Sequence, residues 1–146
     1  MFRRLLLLVV TAGYAWVVWR MTLTPQLFSR SGSDAVALVL RLAQQHAATA
    51  WVTYDRAEFM ANIAMFVPVG AIAAMWLPRR AWFLAGMLAV GLSVGIEWTQ
   101  HVALPGRVAD PRDVLSNGLG GFLGATLIGL ARSAVPERRR RRPRMV

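Results

Sequence analysis

The chain has no cysteine, no lysine, two histidines and only seven acidic residues among 146. Without cysteine there is no disulfide framework and no thiolate metal site. His46 and His101 are too few for a usual zinc site. HExxH does not occur, and the one GxSxG, GLSVG at 91–95, lies inside a long apolar run and not at a strand-to-helix turn, so no hydrolase order is recognisable. No cofactor or metal is implied. All 17 basic residues are arginine, which we read as GC-rich base composition. Charged residues fall to 16%, well below the ~25% of soluble domains. In their place stand 56% hydrophobic residues and a mean hydropathy of +0.45. The length suits one domain, and the composition points to a membrane domain.

A bilayer core of ~30 Å takes ~20 mostly apolar helical residues. Four stretches qualify, at about 5–23, 57–78, 81–104 and 110–131, so the expected fold is an all-α, polytopic transmembrane helical bundle occupying 1–135. The first span follows Phe2-Arg3-Arg4 and needs Arg20 to snorkel, beside Trp16 and Trp19 as belt aromatics. Its basic start and small residues near Ala12-Gly13-Tyr14-Ala15 also suit a cleaved signal peptide. Apolar residues continue past that cut, which favours an anchor. Pro25 ends the span, and SRSGSD (29–34) is turn chemistry, with Ser33 or Asp34 poised to cap a helix. Residues 35–52 are too polar in their second half to span, and are expected as an extra outer helix, interfacial or re-entrant. Pro68 sits mid-span in the second stretch and should kink it.

Orientation follows from arginine. With the N-terminus in the cytoplasm, Arg3, Arg4, Arg79, Arg80, Arg132, Arg138 to Arg142 and Arg144 all lie inside. The outer segments are balanced: Arg30, Arg41 and Arg56 against Asp34, Asp55 and Glu58, and Arg107 and Arg112 against Asp110 and Asp113. The positive-inside rule therefore gives four spans with both ends in. The tail, 136–146, reads as a basic cytoplasmic segment resting on anionic lipid. No aromatics are interleaved in it to stack bases, so nucleic acid is not the expected partner.

The polar chemistry concentrates in GIEWTQHVALPGRVADPRDVLSNGLGG, residues 95–121, which holds three of the seven acids. Glu97 lies 16 residues past Ala81, about 24 Å along a helix and near its outer end. Gln100 and His101 share its face. Asp110-Pro111-Arg112-Asp113 reads as a helix start, with Asp at the N-cap, Pro at N1 and acid at N3. Asn117 follows one turn later, and Asn62 sits at similar depth in the second span. The candidate ligand-binding residues are thus Asn62, Glu97, Gln100, Arg107, Asp110, Asp113 and Asn117, converging at the outer mouth. Below them the fourth span carries Gly120, Gly121 and Gly124, and the third carries a GxxxG at Gly91 and Gly95. Small residues let helices approach closely in lipid, so spans three and four are expected to pack directly through these glycines.

NIAMFVPVG (62–70), E97-W-T-Q100 and R107-V-A-D110-P-R-D113-V-L-S-N117-G-L-G120-G-F-L-G124 together resemble the VanZ-like family of bacterial membrane proteins. The resemblance covers roughly 58–130 and adds Pro68 and Gly70 to the packing residues. His101 stands where family members often carry an aromatic or aliphatic residue, so no role passes to it. The family is named for a teicoplanin-resistance protein. It implies location in the bacterial cytoplasmic membrane and a shared polar site rather than a reaction.

Three functions compete. The site binds a polar ligand at headgroup level: a lipid headgroup, a cell-wall precursor or a glycopeptide, with a link to glycopeptide tolerance. Intramembrane ionisable residues are costly and point by default to such a site. Alternatively the carboxylates and His101 make a membrane-embedded enzyme for a lipid-linked substrate. Or the polar residues only cap helices and join them, at ~0.6 kcal/mol per contact.

Overall fold

The structure is a computed structural model, and it describes residues 1–23, 51–103 and 110–134 with isolated positions between 38 and 49. Most of the expected outer helix over 35–52, its capping Ser33 and Asp34, the tail 136–146 and Arg107 lie outside the described residues.

Four helices make up the bundle: α1 (Phe2–Leu23), α2 (Tyr54–Trp76), α3 (Trp82–Ala103) and α4 (Pro111–Ala134), with a 3-10 turn at Arg79–Ala81 before α3. All four are long and apolar enough to cross a membrane. α2 starts three residues earlier than its hydropathy suggests, because Thr53 caps it by accepting the Arg56 N–H at 3.3 Å. It stays helical through Pro68, whose missing N–H leaves the Ala64 carbonyl without its i+4 donor.

Side-chain contacts fix the directions. Tyr14 Oη donates to the Met65 carbonyl at 2.7 Å and Trp76 Nε1 to Thr11 Oγ1 at 2.9 Å, so α1 runs antiparallel to α2. Gln100 Nε2 reaches the Thr22 carbonyl at 2.6 Å, which brings the C-terminal ends of α1 and α3 together. Arg132 Nη1 donates to the carbonyls of Ala74 and Leu77 at 2.7 and 3.0 Å, so α4 ends where α2 ends. That guanidinium satisfies carbonyls α2 leaves open at its C-terminus. Arg132→Ala should cost ~1–3 kcal/mol, and Arg132→Lys should recover part of it. Unfolding midpoints of the detergent-solubilised variants measure both.

The core is inverted relative to a water-soluble protein. Its buried residues are mostly small or polar: Ala74, Ala85, Ala89, Ala125, Ser93, Ser116 and Asn117, with Phe66 the largest fully enclosed side chain. Leucine, valine, methionine and tryptophan instead cover the outside. Lipid is as apolar as leucine, so burying leucine gains little there, and small residues that allow close approach take the interior.

The glycines show how close that approach is. Gly120 and Gly124 sit against the Ile63 and Val67 carbonyls of α2, and Gly70 of α2 against the Gly121 carbonyl. α4 therefore beds its glycine stripe chiefly into α2. The expected α3–α4 seam through Gly91 and Gly95 is not what forms: both are exposed, with no neighbour within 4 Å of the position a Cβ would take. α3 meets α4 through Gly86, Ala89 and Ser93 instead. The reason is helical phase. Buried Gln100, Glu97, Ser93, Ala89 and Gly86 recur at three- and four-residue steps, and Gly91 and Gly95 lie two residues off that row, on the opposite side.

Candidate functional site

The end of the bundle holding the start of α2, the end of α3 and the start of α4 gathers the polar side chains. Asp110 begins α4 as its sequence implies: Oδ1 accepts the Arg112 N–H at 2.8 Å, and its carbonyl accepts the Asp113 N–H at 3.0 Å. Pro111 fills the first helical position, where its missing N–H removes nothing the helix needs. Asp113, half-buried, accepts the Asn62 Nδ2–H from α2 at 2.8 Å. Glu97, 8% exposed, reaches from α3 to accept the Asp110 backbone N–H at 3.1 Å. These carboxylates therefore bind three helices together at the same level.

One turn deeper, Asn117 Nδ2 donates to Ser93 Oγ at 2.9 Å between α4 and α3. Gln100, 3% exposed, donates to the Thr22 carbonyl of α1. That carbonyl can only accept, so it fixes the amide's orientation and leaves Gln100 Oε1 buried without a hydrogen-bond partner among the described residues. Asn117 Oδ1 is in the same state. Buried polar atoms are nearly always paired, so each such acceptor calls for an explanation.

Five of the seven acidic residues belong to this end: Asp55 and Glu58 at the start of α2, with Glu97, Asp110 and Asp113. Arg112 lies 3.9 Å from Asp55, both largely exposed, a contact that contributes little. The site is therefore rich in acceptors, both charged and neutral. Among the described residues no three of histidine, cysteine, aspartate and glutamate gather as a metal-binding group. His101 is exposed.

Of the sequence-derived candidates, Asn62 and Asp113 touch directly, Glu97 and Asp110 touch directly, Asn117 lies one turn beneath them on α4, and Gln100 lies about one turn nearer the end of α3 than Glu97. Ser93 and Thr22 were not among the candidates. Ser93 was signalled by its position one turn before Glu97 on the same face. Thr22 acts through its backbone, which no side-chain pattern reveals.

The profile of the VanZ/LLP1 family matches residues 5–132. The chain belongs to the VanZ/LLP1 family. As a VanZ/LLP1 protein with four spanning-length helices it is a multi-pass membrane protein. The match includes α1 along with the three helices that carry the polar residues. Neither a curated protein nor a solved structure matches the chain.

Proposed function

We propose that the polar end binds a cell-envelope lipid or lipid-linked precursor through the hydrogen-bond donors of its headgroup, at the outer face of the bacterial cytoplasmic membrane. The observation that carries this reading is a buried acceptor next to a level of carboxylates. Among the described residues Gln100 Oε1 is buried with no hydrogen-bond partner, beside a level holding Glu97, Asp110 and Asp113. A ligand bearing ammonium, amide or hydroxyl groups supplies a donor for Gln100 Oε1 next to these carboxylates; a phosphate or carboxylate alone does not. The outer location rests on Arg3, Arg4, Arg79, Arg80 and Arg132 lying toward the opposite end.

Phosphatidylethanolamine and phosphatidylcholine are both zwitterionic, but only the first has ammonium N–H donors. Protein in nanodiscs of an equal mixture should retain the first preferentially on extraction into detergent, read by native mass spectrometry. Asp113→Asn should reduce that preference. Equal retention of the two lipids refutes the reading. In a glycopeptide-sensitive bacterium, expression should confer tolerance that the same substitution weakens.

A second reading has support of its own. Asn62 with Asp113, Asn117 with Ser93, and Gln100 with Thr22 all bond between helices. On that reading the cluster only joins the bundle, and headgroup chemistry has no effect on retention.

A further inference from the structure

α1 stands partly away from its neighbours. Only Val18 and Thr22 of its 22 residues are buried. Between α1 and the α2–α3 face runs a cleft of about 420 Å³, with Val18, Trp19, Val69, Ala73, Leu92 and Ile96 among the residues of its wall. We propose that this cleft holds one acyl chain of a membrane lipid.

The wall offers an occupant almost no hydrogen bonding. Tyr14 Oη is turned to the Met65 carbonyl, Thr22 Oγ1 to the Val18 carbonyl at 2.8 Å, Thr11 Oγ1 to the Leu7 carbonyl at 2.6 Å, and Trp76 Nε1 to Thr11. Water needs two to four polar partners and does not find them here. The volume lies in the range of ligand pockets, ~300–1,000 Å³.

Its proportions select the occupant. The cleft follows α1 from Thr11 to Thr22, 11 residues, or about 16 Å of helix. Spread over that length, 420 Å³ leaves a mean cross-section of roughly 25 Å². A helix about 10 Å across needs roughly 80 Å². A helix of a second copy is therefore too wide to enter it, even with the small Thr11, Ala15 and Ala73 in its wall. A single extended hydrocarbon chain fits, and in a bilayer such chains surround the opening.

The cleft also joins the polar end. Thr22 lines its top, and the Thr22 carbonyl holds Gln100. A lipid whose tail lies along α1 thus brings its headgroup to the level of Glu97 and Asp113. The placement of the head rests on the function proposed above, but the seating of the tail does not.

Photolabelling tests the two separately. Full-length protein in nanodiscs is irradiated with a phospholipid carrying a diazirine midway along one acyl chain, and adducts are mapped by mass spectrometry. Adducts should concentrate on the cleft-facing peptides containing Val18, Val69 and Ile96, above those at Leu123 and Leu127 on the outside of α4. Ala15→Trp, which fills the cleft from the exposed side of α1, should lower cleft labelling about tenfold. Leu92→Trp fills it independently from α3, and Leu8→Trp, outside the cleft, should leave labelling unchanged. Labelling spread evenly over all lipid-facing surfaces, or undiminished in both folded cleft variants, overturns the proposal. Dimers cross-linked through cleft residues overturn it in favour of a second copy. Asp113→Asn losing its lipid preference with cleft labelling intact leaves the tail site standing; cleft labelling lost with the preference intact removes the tail site alone.

Discussion

Gly124→Ala lowers the unfolding midpoint of the solubilised protein sharply, whereas Gly91→Ala and Gly95→Ala leave it unchanged or raise it. The obstacle at Gly124 is backbone: an added Cβ overlaps the Val67 carbonyl and crowds the Ala71 nitrogen. Backbone atoms cannot rotate aside, so α4 must separate from α2 along the stretch where they approach most closely. Overpacking of this kind costs ~1–3 kcal/mol or more, a fall on the order of 5–10 °C in a chain this size. Gly70→Ala meets the Gly121 carbonyl and should match it. At Gly86 and Gly129 the obstacles are the rings of Phe122 and Trp82, which can shift, so alanine there should cost less. At Gly91 and Gly95 a methyl group enters open space, and alanine's better helix propensity is worth up to ~1 kcal/mol. Equal losses across the series would mean that glycine serves helix flexibility generally and not the α2–α4 approach.

The same glycines mark where sequence stopped being informative. Four spans were readable because length and apolarity are properties of single segments, and hydrocarbon demands both. The start of α4 was readable because capping is local: Asp110, Pro111 and Asp113 satisfy neighbouring backbone groups within one turn. The meeting of Asn62 with Asp113 followed from depth alone, once the spans were set side by side. Which face of α4 meets which helix was not readable from motifs. A GxxxG shows that close approach is possible, not where it happens, and α3 carries one turned to lipid. The better guide was phase. Counting back from Glu97 and Gln100 in three- and four-residue steps reaches Ser93, Ala89 and Gly86, the residues that pack. Arg132 escaped because an arginine near a helix end reads first as topology, yet here it also holds the Ala74 and Leu77 carbonyls.

Glu97→Gln keeps the bundle folded and abolishes its preference for donor-bearing headgroups, while Glu97→Leu damages both. The bond seen at Glu97 is acceptance of the Asp110 N–H, and a glutamine carbonyl can accept that proton equally well. If joining α3 to α4 were the whole task, an amide would serve, without the penalty of several kcal/mol that a buried ion carries. Asn117 and Gln100 show that amides do join helices in this bundle. On the function proposed above, the charge at this position, 8% exposed, is what favours an ammonium headgroup. Glu97→Gln should leave the unfolding midpoint within a few degrees of wild type and cut the retained ratio of phosphatidylethanolamine to phosphatidylcholine about tenfold, or ~1.4 kcal/mol. Glu97→Leu also strips the Asp110 N–H of this acceptor, at ~1–3 kcal/mol. A Glu97→Gln protein that loses stability but keeps its lipid preference would assign the carboxylate to the bundle and not to a ligand. Arg112 and Asp55, exposed near the same end, provide the internal control, because their charges can be removed without touching a buried bond.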